Sequence, residues 1–242
     1  MTVAFGWGPT EAAVLARDAA CLVIVDALSF TTAVGVAVEA GTAVYPYRWR
    51  DATAAEYAAK LDAALAVGRS EATPEHPWSL SPAALRAAPP PPRLVLPSPN
   101  GSTIAAEAGG APVVAASLRN RTAVAEWLVE RGYGSGARPL AVIASGERWP
   151  DGSLRPALED LLGAGAVLSA LCALGPYELT PEARAAATLW EVTEDPVAVL
   201  HRCDSGRELY EYGYPRDVAV AAEVDTSETV PVLTDGAFLE AP

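Results

Sequence analysis

Leu140-Ala-Val-Ile-Ala-Ser145 runs into Gly146-Glu-Arg-Trp-Pro-Asp-Gly-Ser-Leu-Arg-Pro156 and then Ala157-Leu-Glu-Asp160. A short apolar run with β-branched residues, stopped by glycine, is the pattern of a buried strand. Pro156 suits the first turn of a helix, where its missing N–H would be unpaired anyway. The stretch therefore predicts strand, connection and helix. It crowds Glu147, Arg148, Asp151, Arg155, Glu159 and Asp160 onto that one connection. In open α/β sheets, ligands bind at the carboxyl ends of strands. Alternatively, Glu159 and Asp160 only complement the helix dipole and the arginines are solvated. The stretch alone leaves both readings open.

The same order of strand, acid and helix occurs at Cys21-Leu-Val-Ile-Val25, Asp26 and the alanine/valine helix that ends near Gly41. Ser29, Thr31 and Thr32 stand at that helix start. A carboxylate beside a helix N-terminus and three hydroxyls suits a divalent cation and a phosphate. A plain capping cluster is the competing reading. Further strands are expected at Val44–Tyr47, Arg93–Leu96 and Val113–Ser117, with a surface helix from Ala52 to Val67. Gly68 to Arg86 reads as a long surface loop, and Pro89 to Pro92 as a stiff connector.

After Leu96 comes Pro97-Ser-Pro-Asn-Gly-Ser-Thr103. Asn100-Gly101 tolerates positive φ, so its amides can converge on an anion, with Ser102 and Thr103 adding hydroxyls. A β-turn with a helix cap explains the same residues. Arg119 and Arg121 follow the Val113 strand as anion contacts or as solvated cations, before a helix from Ala123 to Arg131. The last third reads as mostly helical. There Arg207 could reach an anion at the sheet, or pair with Glu208 or Glu211.

At 242 residues the chain is one domain, with two merged halves as a variant of that reading. A formal charge of −13 argues against a nucleic-acid partner, which needs a basic face. No apolar run approaches the roughly 18 residues of a membrane span. No secretory leader is visible, and three scattered cysteines show neither disulfide nor zinc spacing, so a reducing cytoplasm is expected. The Gly132–Gly136 run follows a helix, the wrong context for a dinucleotide fingerprint. A Gly-x-Ser-x-Gly elbow and a Walker lysine are both missing. The runs Leu22–Val25, Leu94–Leu96, Val113–Ala115 and Leu140–Ala144 are expected to share one sheet with helices on both faces.

Four islands in one order resemble the 2-phosphosulfolactate phosphatase family. They are Val25-Asp-Ala-Leu-Ser-Phe-Thr-Thr32, Ser98-Pro-Asn-Gly-Ser102, Leu158-Glu-Asp160 with Ala164-Gly-Ala166, and Ser205-Gly-Arg-Glu-Leu209 with Gly213. The resemblance runs roughly from Ala20 to Phe238. It implies a three-layer α/β sandwich with a mixed or mostly parallel sheet, assembled as a homo-oligomer, a dimer. It also implies a magnesium-dependent phosphatase of coenzyme M biosynthesis, acting on a small anionic phosphate ester.

Asp26, Asn100, Gly101, Glu159, Asp160 and Arg207 fall where the family motifs place functional residues. On this reading Asp26, Glu159 and Asp160 hold Mg2+ or activate water, and Glu147 is a general acid. Ser29, Thr31, Thr32, Asn100, Gly101, Ser102, Arg119 and Arg207 contact the substrate. Ser29 stands where the family usually carries arginine, as does Thr103 or Ile104, and the family's Gly-Asn-Ser-Pro loop is reduced to Ser79-Leu-Ser-Pro82. Arg119, Arg121, Arg148 and Arg155 could replace the missing charge. A non-catalytic relative that binds a phosphorylated metabolite, or an interaction subunit, is the second reading.

Overall fold

The computed structural model describes residues 2–48, 51–107 and 110–242. In chain order the elements are β1 (Val3–Trp7), α1 (Gly8–Leu15), β2 (Cys21–Val25), α2 (Phe30–Glu39), β3 (Ala43–Tyr47), α3 (Ala52–Leu61) and β4 (Ala64–Leu65). Then come α4 (Pro82–Ala87), β5 (Arg93–Pro97), α5 (Gly101–Glu107), β6 (Val113–Ala116), α6 (Arg121–Glu130), β7 (Leu140–Ala144), β8 (Glu147–Arg148) and β9 (Leu154–Arg155). The rest is α7 (Leu158–Leu174), α8 (Pro181–Val192), α9 (Pro196–Arg202), α10 (Asp204–Glu211), α11 (Pro215–Ala221), β10 (Pro231–Thr234) and β11 (Ala237–Glu240).

Nine strands form one sheet in the order β1-β7-β2-β6-β10-β11-β3-β5-β4. β1, β7, β2 and β6 are parallel, and so are β3, β5 and β4. The β10–β11 hairpin joins the two blocks with antiparallel pairs on either side. The four expected apolar runs therefore share a sheet. β2 and β7 lie side by side, with Val25 opposite Ala144, so their carboxyl ends are level. Every residue of β2, β6 and β7 is buried, as strands covered on both faces must be.

One core joins the sheet to α6, α7 and α8, and a second joins it to α1, α2, α4 and α5, which gives helix, sheet and helix layers; a third packs α7 against α9, α10 and α11. α7 packs closely on α8 because Gly165 has no side chain: a Cβ there would stand 2.1 Å from the Ala186 carbonyl oxygen. α2 has nine buried residues of ten and packs on β3, β6, β10 and β11 of a sheet that curls. The curl follows from one contact. β2 and β5 are five places apart, or ~24 Å across a flat sheet at the usual strand spacing. Yet the Gly101 N–H, four residues beyond β5, donates to Asp26 Oδ2 at 3.2 Å. Curling brings two distant strand ends to one place.

Three local expectations are revised. Ala52 to Val67 is not one helix: Asp62 turns left-handed at φ 49°, ending α3, and the chain re-enters the sheet as β4. The Gly68–Arg86 segment contains a 3-10 turn at Arg69–Glu71 and the helix α4, capped by Ser81. The tail ends in strands: Asp235 and Gly236, both at positive φ, make the two-residue turn of a β-hairpin.

Candidate active site

Asp26 leaves the end of β2 buried at 6% exposure. Its Oδ1 accepts the Phe30 N–H at 3.0 Å and its Oδ2 accepts that of Gly101. Gly101 must be glycine for this approach, since a Cβ would sit 2.2 Å from the Phe30 ring. Asp160, 3% exposed in the first turn of α7, ties the two central strand ends together. Its Oδ1 accepts from Ala27 N–H at 2.7 Å, beyond β2, and its Oδ2 from Gly146 N–H at 2.8 Å, beyond β7. Neighbouring Glu159 is 2% exposed. Glu147 comes from β8, directly opposite Arg155 of β9, and accepts from Asn100 Nδ2 at 2.9 Å.

These four acids feel one another. Burial lifts Asp26 to about 6 against the pull of its amide donors, and Glu159 adds to the lift. Burial, then the charges of Asp26 and Glu159, hold Asp160 well above the usual carboxylate range. Burial and Asp26 push Glu147 to about 7, against the Asn100 hydrogen bond and the Arg155 charge. Desolvation and like charges act together here, as at sites built for a proton or a cation. Arg155 is the bordering cation: it acts on both Glu147 and Glu159 while forming a two-pronged pair with Glu208. Ser145 Oγ, buried at the end of β7, has no hydrogen-bond partner among the described residues.

A cleft of about 260 Å³ opens beside Glu159, with Arg155, Arg202, Cys203 and Ser205 among its walls. Burial and the Glu159 carboxylate push the Cys203 thiol up to about 12, so it is no nucleophile at neutral pH.

The structure thus gathers Asp26, Asn100, Gly101, Glu147, Glu159 and Asp160. Other expected contacts are engaged elsewhere. Thr31 Oγ1 bonds the Asp26 backbone, Thr32 Oγ1 donates to Ala27 O, and Ser102 Oγ donates to Leu96 O. Arg119 is buried between Glu39 and Glu223, so it neutralises them rather than facing the strand ends. Arg207 has a 65% exposed side chain paired with Asp204 at 2.6 Å, and does not reach in toward the sheet. Arg121 pairs with Asp225, and Arg148 donates to Gly152 O. Ser29 caps α2 without a side-chain cap, because its Oγ accepts from Arg69 Nη2 at 2.6 Å. No local pattern pointed to Arg69, which lies in the irregular segment.

Comparison with known proteins adds a family. The chain is 32% identical over 146 residues to the probable 2-phosphosulfolactate phosphatase of Deinococcus radiodurans, covering 60% of this chain and 57% of that protein. It is 34% identical over 131 residues to the protein of the same description from Synechococcus sp. WH7803, covering 53% and 50%. A third, from Thermotoga petrophila, is 29% identical over 147 residues, covering 60% and 59%. The matched stretches thus span between half and three fifths of these relatives' lengths. The family description "2-phosphosulpholactate phosphatase" matches residues 10–236. This span takes in all four strand-end acids and every strand of the large sheet except β1 and β11, and the chain belongs to the 2-phosphosulfolactate phosphatase family.

Proposed function

We propose that the chain is a magnesium-dependent phosphatase acting on a small acidic phosphate ester, a 2-phospho-carboxylate of the 2-phosphosulfolactate kind. One observation carries the reading: four carboxylates converge at two adjacent strand ends with one bordering arginine. Buried like charges destabilise a fold unless something offsets them, and a divalent cation does. The donors are oxygens, and Ser145 Oγ is left over, which suits a hard cation. No group of three His, Cys, Asp or Glu side chains forms a ready cage among the described residues. Magnesium needs none, because one or two carboxylates usually hold it beside waters and phosphate oxygens.

Asp26 and Glu159 would hold the ion, with Asp160 fixing both strand ends through its two amide bonds. When bound, magnesium would draw charge from the phosphoryl oxygens. Arg155 adds a guanidinium at the same edge. Glu147, at about 7, is protonated in a large fraction of molecules at neutral pH. It can hand that proton to the leaving alkoxide, with Asn100 orienting it.

The test is phosphate release from a panel of 2-phospho-carboxylate esters with added magnesium. Turnover that chelator abolishes is expected. No turnover across the panel, with magnesium or manganese, would leave the non-catalytic binding protein as the better reading.

A further inference from the structure

A second cavity, of about 340 Å³, lies between α4 and the start of α11, with charged groups set into mainly apolar walls. Arg69, Ser79, Ser81, Tyr214, Arg216 and Asp217 are in its walls. Two guanidinium groups against one carboxylate leave it a net +1, in a chain whose net charge is −13. Arg69 is held firmly. Its Nε donates to Asp217 Oδ2 at 2.8 Å, and its Nη2 donates to Ser29 Oγ at 2.6 Å and Leu80 O at 3.2 Å. Asp217, 1% exposed, is fixed in turn by Ser81 Oγ and the Ala83 N–H. The Tyr214 ring lies 5.6 Å from the Arg69 guanidinium carbon. Three of the five donors of Arg69 are occupied, and no described residue accepts from Nη1. Arg216 is exposed and pairs with no described residue.

We propose that this cavity is an oxyanion subsite, in which Arg69 Nη1 and Arg216 receive a carboxylate or sulfonate carried by the substrate beyond its phosphate. Ser29 connects the two sites. Its backbone helps to hold the Asp26 carboxyl down, while its hydroxyl accepts from Arg69. In the proposed mode a doubly acidic ester sets its phosphate at the strand-end acids and its second acid at Arg69. A guanidinium pre-oriented by a buried carboxylate binds a planar or tetrahedral oxyanion at little ordering cost. The assignment rests on the phosphatase reading for what occupies the neighbouring site.

Truncating Arg69 would strand Asp217 as a buried, unpaired charge. The variants are therefore Arg69→Lys, which keeps the charge but not the fork, and Ala87→Glu, which sets a carboxylate in the exposed wall of the cavity. For each, kcat/KM is measured on 2-phosphosulfolactate and on phenyl phosphate. The ratio of the two should fall about tenfold or more in each variant, mainly through KM for the doubly acidic ester. A ratio within about threefold of wild type in either variant overturns the subsite. Should wild type hydrolyse neither ester, the ratio is taken with another ester of the panel that it does hydrolyse; no turnover across the whole panel fails the phosphatase reading, and titration calorimetry with sulfoacetate then decides the subsite alone. Binding that Ala87→Glu weakens about tenfold supports it, and no binding, or equal binding in both proteins, overturns it.

Discussion

Two groups of carboxylates in this molecule are treated in opposite ways. Glu223 and Glu39 meet Arg119, and Glu223 also holds Arg86 in a two-pronged pair. The Arg86 and Arg119 guanidiniums outweigh partial burial and bring the Glu223 carboxyl below its usual range. At the ends of β2 and β7, four acids share one bordering arginine, itself paired with Glu208, and Asp26, Glu147 and Asp160 are all driven upward. The first group is balanced and can serve the fold alone. The second is unbalanced while its acids are ionised, and protons or, on the proposed function, a bound cation relieve it. Arg119 and Arg207, the arginines expected at the strand ends, are engaged elsewhere.

The sharpest way to break this contrast is to change one acid in each group. Asp26→Asn should lower kcat for phosphate release on the order of 10²–10³-fold, the size of effect seen when a key electrostatic group is lost. Glu223→Gln should leave kcat within about threefold and lower stability by about 1 kcal/mol, as partly exposed pairs do. Equal kinetic losses in both would erase the distinction.

pH separates the groups next, with opposite signs. Glu147 has a folded pKa of about 7 against an ordinary 4.5, so its contribution to stability is present below 4.5 and lost as pH rises through 7. For the metal-free protein this loss should be on the order of 3 kcal/mol, several degrees in melting temperature. Added magnesium should restore most of it. Glu223 runs the other way: its stabilisation is present above 4.5 and disappears as pH falls through its lowered folded value. Thermal melts from pH 4 to 8, with and without magnesium, check both signs.

Smaller again is the effect assigned to Glu147 itself. As a general acid at about 7, it should make kcat fall on the alkaline side. Glu147→Gln should lower the neutral-pH rate about tenfold and remove that limb from the pH–rate profile. A limb that persists in the variant would assign the proton to another group.

Much of this was legible in the sequence because it depended on local pattern. The continuous apolar runs of β2, β5, β6 and β7 identified buried strands, and the acids that follow two of them within three residues identified the working edge. β1 was missed because Val3–Trp7 mixes a glycine and a tryptophan into a half-buried run. The closing hairpin was missed although Asp235-Gly236 is a strong turn signal, because its strands are only four residues each in a region otherwise helical. In the site, Asp26, Glu159 and Asp160 were legible from their positions at strand and helix ends. The meeting of Gly101 with Asp26 needed the curl of the sheet, a property of all nine strands that no short segment encodes. Arg69 was not legible at all. Its role comes from Asp217, 148 positions away, and from Ser29, 40 positions away.

The measurement that bears most directly on the unbalanced acids is calorimetric titration of magnesium at pH 8 into the metal-free protein and two variants. Glu159→Gln removes a charge that is not tied down by backbone amides. Asp26→Asn removes one that is, and its loss of a charge-assisted bond should lower stability by about 1–3 kcal/mol, so its fold is checked by melting first. The account predicts one magnesium per wild-type chain, bound at least about tenfold more weakly in each variant. No magnesium binding by wild type, or the same affinity in all three proteins, would contradict it.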